Sequence, residues 1–183
     1  GLGMILNFDS RDNYQSPNKG SFYSLKTGVA SKVLGSSTTY NYSTLDIRGY
    51  FNLSKSGKKR LLALQGFINT TNGRVPFQKM SRYGGSINAR GYYLGRYTDH
   101  NMVVVQAEFR ASLKGKWSVA GFGTIGDVFY DSDDLRLGRL KTSIGGGLRW
   151  RIREGDPSLI RLDFAYGFAT NGTGIYFGVN EAF

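Results

Sequence analysis

The 183 residues are 40% hydrophobic and 14% aromatic, with 26 glycines, one histidine and no cysteine. That aromatic content excludes a disordered chain, the missing cysteine excludes a disulfide scaffold or thiolate metal site, and a lone histidine argues against a histidine-built zinc or iron centre. The formal net charge of +11 points by itself to nucleic acid, anionic lipid or an acidic ligand, and no apolar run approaches the ~20 residues of a membrane helix.

The length allows one domain or two small ones. The chain starts inside patterned sequence at Gly1-Leu2-Gly3, which reads as a mature protein or a fragment. From there the dominant period is two, the period of a strand. Leu2, Met4, Leu6 and Phe8 oppose Asn7, Asp9 and Arg11. Nine strand segments are expected: Leu2–Ser10, Ser21–Leu34, Thr39–Leu53, Arg60–Thr70, Met102–Leu113, Trp117–Tyr130, Leu140–Arg153, Leu159–Ala169 and Gly174–Phe183. In the fifth, Val103, Val105, Ala107, Phe109, Ala111 and Leu113 oppose Gln106, Glu108, Arg110 and Ser112. In the seventh, Leu148, Trp150 and Ile152 alternate with Arg149, Arg151 and Arg153, and in the eighth Ile160, Leu162, Phe164, Tyr166 and Phe168 oppose Arg161, Asp163, Ala165 and Gly167.

A soluble β-sandwich also alternates, but its strands are usually about 5–6 residues long. Here many segments exceed ten residues, and the polar face carries charges of both signs beside glycines. Apolar outside, polar inside and about ten residues per crossing describe an all-β, antiparallel transmembrane barrel. Tyr40, Tyr42, Tyr50, Phe51, Trp117, Phe129, Tyr130 and Tyr176, near segment ends, are expected in interfacial aromatic girdles. Residues 55–59, 114–116 and 154–157 form short charged connections, and residues 71–100 and 131–139 longer ones. Short turns belong to the periplasmic side and long loops to the outside, so the chain is expected to end on the periplasmic side. Nine strands cannot close an even barrel. We therefore expect an odd number of strands before Gly1, making residues 1–183 the C-terminal portion of a larger even-stranded barrel domain.

Several stretches together resemble a family: Asp9-Ser10-Arg11-Asp12-Asn13 with Pro17-Asn18-Lys19-Gly20; Gly84-Gly85-Ser86 with Ala89-Arg90-Gly91-Tyr92 and Gly95-Arg96-Tyr97; Gln106-Ala107-Glu108-Phe109-Arg110; Phe122–Phe129; Gly145-Gly146-Gly147-Leu148-Arg149; Arg161-Leu162-Asp163-Phe164; and the final Gly178–Phe183. In order and spacing they are similar to the C-terminal half of the barrel of the BamA-like outer-membrane assembly factors, the bacterial surface antigen superfamily, and to relatives lacking periplasmic domains. The resemblance implies that Arg90-Gly91-Tyr92 sits at the tip of a loop, residues 71–100, that folds back into the lumen. An arginine there must be paired. The family usually places an acid in a Phe-x-Asp-x-Gly run on the facing strand; here that run is Phe122, Thr124 and Gly126, with threonine for the acid. Glu108, Asp163 and Asp127 are the candidate partners, Glu108 favoured because its strand follows the loop. Gly178 and Phe183 fit the family's C-terminal assembly signal, read by the barrel assembly machinery, with Glu181 on the lipid face near an interface.

The resemblance implies insertion or translocation of polypeptides at the bacterial outer membrane, with lipid and client polypeptides as partners and oligomers allowed. Alternatives are a passive pore or structural barrel plugged by its Arg90-Gly91-Tyr92 loop, or a membrane anchor for an upstream passenger domain. Catalysis is not expected. His100 follows Asp99, but without a second acidic pair or a nucleophile. Gly145-Gly146-Gly147 lacks the following helix of a phosphate loop and reads as a bend or close backbone approach. Gly121, Gly123 and Gly126 are expected to leave room for the loop. Asp131–Asp134 lacks calcium-loop spacing, and no metal or cofactor is called for. Arg149, Arg151, Arg153 and Arg161 have no recognition fold that would read nucleic acid; they are expected to line a positive interior.

Overall fold

Period-two alternation sorts the side chains of a strand onto two faces, and a long antiparallel sheet results here. The computed structural model describes residues 1–54, 59–153 and 157–183. Its strands are β1 (Leu2–Asp9), β2 (Gly20–Ala30), β3 (Tyr40–Asn52), β4 (Arg60–Gly73), β5 (Ser81–Tyr83), β6 (Tyr97–Asp99), β7 (Asn101–Ser112), β8 (Trp117–Phe129), β9 (Lys141–Arg151), β10 (Leu159–Gly167) and β11 (Gly172–Val179). Nine of them form one sheet in the order β1-β2-β3-β4-β7-β8-β9-β10-β11, while β5 and β6 pair as a separate hairpin. Every pairing is antiparallel. Within the sheet β1 and β11 each have a single hydrogen-bonded neighbour.

The register lines up one continuous inner row: Phe22, Arg48, Gln65, Gln106, Thr124, Ser143 and Gly167 are successive cross-strand partners. On the outer face, Leu25, Ile47, Leu64, Val105, Phe109, Leu162, Phe164, Ile175 and Phe177 are exposed, Phe164 by 54% and Ile175 by 74%. A belt of that extent has no counterpart on a soluble monomer; against hydrocarbon it is the expected wall of a membrane barrel. Buried side chains instead collect on the inner face, in two clusters. One, at the end where long loops emerge, joins Tyr83, Ala89 and Tyr92 to Met102, Val104 and Val128. The other, at the end of the short turns, joins Tyr50, Leu61 and Ala63 to Ala182 and Phe183.

The nine expected wall segments are present with shifted ends. The second stops at Ala30, because Ser31 accepts the Val33 amide and Gly35 takes a left-handed conformation, closing a short 3-10 turn over Lys32–Leu34. The fourth runs on to Gly73, so the long loop begins at residue 74 rather than 71. The ninth stops at Val179. Asn180 turns with φ 65°, and the last three residues leave the wall for the inner face. Glu181 therefore does not face lipid: its carboxylate lies 2.9 Å from Arg149 Nε.

Three of the expected girdle tyrosines are inside as well. Tyr50 packs on Phe183 in the inner cluster, Tyr176 bonds the long loop, and the Tyr42 hydroxyl lies over Gly3 and Gly28. Phe51, Trp117 and Tyr130 do stay exposed. Gly121 has open space around it and Gly123 faces only a distant carbonyl, so neither makes room for the loop. The expected turns at residues 55–58 and 154–156 lie outside the described residues.

Candidate functional site

Residues 74–100 return across the inner face. The β5–β6 hairpin and its tip cluster Tyr83, Tyr92 and Tyr97, Tyr97 edge-on to both of the others and Tyr83 tilted against Tyr92, with ring centroids 5.6 to 6.4 Å apart. The Tyr83 hydroxyl donates to the Lys141 carbonyl at 2.9 Å and that of Tyr92 to the Thr142 carbonyl at 2.6 Å. Burial raises the phenol pKa of both above its ordinary value. At the tip, Gly91 has φ +106°, and a Cβ there would stand 3.0 Å from Gly167 N and Ser143 Cβ. Only glycine combines that backbone with so close an approach to the wall.

This turn drives Arg90 into the sheet, where its side chain is 0% exposed. Its Nη2 reaches Glu108 Oε2 at 2.5 Å and its Nη1 reaches Asp163 Oδ2 at 2.6 Å. The guanidinium carbon sits 3.4 Å from the centroid of Phe122, a stacked cation–π contact. The wall makes space by losing side chains. A Cβ on Gly145 would strike the Phe122 ring, one on Gly147 would strike Asp163 Oδ1, and one on Gly126 would stand 2.8 Å from the Tyr83 ring. The triple glycine thus gives the close approach expected of it, to two side chains of the arginine's cage.

The cage extends outward. Arg110 Nε lies 2.7 Å from Glu108 Oε1, and Arg149 pairs with Asp163 and with Glu108 Oε1 at 3.3 Å. Arg161 Nε is 3.6 Å from Asp163. Arg110 also donates to the Phe183 carbonyl at 3.0 Å. Four guanidinium groups thus interleave with Glu108, Asp163 and Glu181. The expected positive lining by Arg149 and Arg161 is instead a nearly balanced buried cluster, as the cost of an unpaired buried charge requires.

Of the three candidate partners, the structure brings Glu108 and Asp163 to Arg90 and takes Asp127 elsewhere. Asp127 is 0% exposed, pairs with Lys141 and accepts the Val128 amide at 2.7 Å. Lys141 Nζ in turn lies 4.5 Å from the Tyr97 centroid, so this pair braces the loop's aromatic stack. Thr124 is buried on the inner face with no partner for Oγ1 among the described residues, flanked by Gln106 and Ser143. Gly178 leaves room for Arg161 Nη2, which a Cβ would meet at 3.1 Å. Phe183 is 4% exposed, inside rather than on the outer face.

Sequence reasoning missed two participants. Tyr176 accepts the Gly91 amide at 2.8 Å and lies 3.1 Å from the Tyr92 carbonyl; its inner parity with Gly174 and Gly178 was the available signal. Glu181 reads as an exception to the lipid-facing pattern, and that exception was itself the signal. His100 lies 3.4 Å from Asp99 and edge-on to Tyr130. Among the described residues no three His, Cys, Asp or Glu side chains group as metal ligands.

The sequence matches the model of the Omp85 superfamily domain over residues 1–183. No curated protein matches it. The fold is similar to the crystal structure of BamA from Haemophilus ducreyi lacking POTRA domains 1-3, with a TM-score of 0.78 at 17% identity, covering 97% of this chain and 41% of that one. The chain thus spans about two fifths of the length of that structure. The long alternating strands, the apolar outer belt, the buried inner cluster and the family match agree: the chain belongs to the Omp85 superfamily, as an outer-membrane β-barrel.

Proposed function

We propose that this chain is the C-terminal portion of a barrel that inserts polypeptides into, or moves them across, the bacterial outer membrane. It works without covalent chemistry, through its lumen and its last strand. The observation that carries this reading is the placement of residues 74–100. The loop packs on β7, β9, β10 and β11 through ion pairs and hydrogen bonds, which hold it at rest yet break without covalent change. Beside it, among the described residues β11 pairs with β10 alone; in a closed barrel its other edge would be the seam with the first strand, where an incoming strand can compete for its backbone donors and acceptors. Gly178 and Phe183 serve as the assembly signal while the chain is unfolded, before Phe183 tucks inside.

The test is a photo-crosslinking residue at Thr173 or Ile175 in the full-length protein in cells, with pulse-labelled outer-membrane proteins as clients. Adducts with nascent barrels are expected. No adducts, together with normal outer-membrane protein levels after depletion, would remove the reading. A second reading, a plugged pore, is favoured by the same Arg90 cage. Its mark is a large stable single-channel conductance after Arg90→Ala with client assembly unchanged.

A further inference from the structure

The long loop and the last strand are joined directly at one place, and Glu181 beyond the strand is linked to the loop's carboxylates through two wall arginines. At the loop end, the Tyr176 hydroxyl accepts from Gly91 N and sits 3.1 Å from the Tyr92 carbonyl, to which it donates. One phenol thus closes both main-chain groups of the loop tip onto β11. Its ring lies back along its own strand, over a space that only a glycine at 174 leaves open, since a Cβ there would stand 2.6 Å from the hydroxyl. At the turn end, Glu181, two residues beyond β11, reaches Arg149 at 2.9 Å and Arg110 at 3.6 Å. Those two arginines hold Glu108 and Asp163, the same carboxylates that hold Arg90.

We propose that Tyr176 is the positioning residue that couples the last strand to the loop, so that β11 and residues 85–96 are released together rather than one by one. Among the described residues β11 has neighbour-strand hydrogen bonds on one side only, and its outward side chains Ile175, Phe177 and Val179 are 74%, 71% and 61% exposed. What distinguishes it from a fraying terminal strand is the inward tether at each end. An edge strand lacking them opens locally at little free-energy cost. With them, opening must also free the loop tip, or break the Tyr176 bonds first. Glu181 supplies the second tether, and the shared arginines carry the loop's state to it. The inference rests on the proposed function only in treating β11 as the strand clients meet; the coupling itself is a property of the folded chain.

Amide hydrogen exchange on the full-length protein in outer-membrane lipid vesicles tests it, with folding of each variant verified by heat-modifiable gel mobility. Tyr176→Phe keeps the ring and deletes both bonds. It should speed exchange roughly tenfold in residues 172–179 and in 85–96, since two hydrogen bonds of ordinary worth are lost. Arg90→Gln, which touches no residue of β11, should speed exchange in 172–179 as well. Added to Tyr176→Phe, it should give clearly less than the sum of the two single effects there, because the direct link is already cut and only the Glu181 tether remains. If Arg90→Gln fails to fold, Arg90→Lys, which keeps the charge but cannot span Glu108 and Asp163 together, takes its place. Faster loop exchange with β11 unchanged, or fully additive effects in the double variant, overturns the coupling. Crosslinking of clients to β11 is scored separately, so loss of the functional reading leaves this result intact.

Discussion

Removing Glu108 should damage this protein more than removing Arg90, although the two form one ion pair. Without Arg90, Glu108 keeps Arg110 at 2.7 Å and Arg149 at 3.3 Å, and Asp163 keeps Arg149 and, at 3.6 Å, Arg161. No carboxylate is orphaned; the loss is the loop's own anchor and its stacking on Phe122. Without the Glu108 charge, Arg90, Arg110 and Arg149 all lose a partner. Arg90 then depends on Asp163 alone, and Arg110 on Glu181 at 3.6 Å. Breaking a buried pair from one side costs about 3–5 kcal/mol. Arg90→Ala should sit near the lower figure and appear as loop release, about a hundredfold in the open fraction at 3 kcal/mol. Glu108→Gln should reach or pass the upper figure and lower the stability of the barrel as well. Ala89→Cys is a suitable reporter, because Ala89 is 0% exposed and the 183 residues hold no other thiol. Maleimide labelling in lipid vesicles should be slow in the Ala89→Cys background. It should rise about a hundredfold with Arg90→Ala and at least as much with Glu108→Gln, while urea unfolding shifts strongly only for Glu108→Gln. Fast labelling of the Ala89→Cys protein with Arg90 intact would mean that the loop is not held. Equal unfolding shifts for both variants would refute the partner argument.

Three further outcomes follow from the same geometry. Lys26→Cys, on the inner face of β2 and exposed, should react with water-soluble maleimide in vesicles, while the outward Leu25→Cys should not; Arg161 and Asp163, 4% and 0% exposed, are poor labelling sites despite lying inside. Gly147→Ala should sharply lower the yield of folded barrel on a heat-modifiability gel, since its Cβ collides with Asp163 and the Leu162 carbonyl, while Gly66→Ala, with nothing within 4 Å, should fold normally. Phe183→Ala, refolded in detergent without assembly factors, should lose about 3–5 kcal/mol in urea unfolding, as a buried phenylalanine does; a loss below about 1 kcal/mol would put the ring outside.

Alternation alone determined the wall. Strand identity depends on side chains two residues apart, so Ile160 to Phe168 or Val103 to Leu113 announce both a strand and its two faces without knowledge of any neighbour. Antiparallel order followed as directly, since short connections leave consecutive strands nowhere else to pair. The resemblance added the loop tip and a short set of carboxylates for its arginine. Within that set the sequence favoured Glu108, but that Asp163 shares the arginine and Asp127 does not was beyond it. Glu108 lies 18 residues from Arg90 and Asp163 lies 73 away, and both reach it because register and the curl of the sheet bring β7 and β10 to the two sides of one guanidinium. Asp127 has the same chemistry but is claimed by Lys141, a choice made by the ends of β8 and β9. The tertiary structure also turned the last residues inward. A glutamate among lipid-facing positions reads as a tolerated exception in one dimension. In three it is a carboxylate beside Arg149 and Arg110, because buried guanidinium groups need counter-charge more than the strand needs to continue.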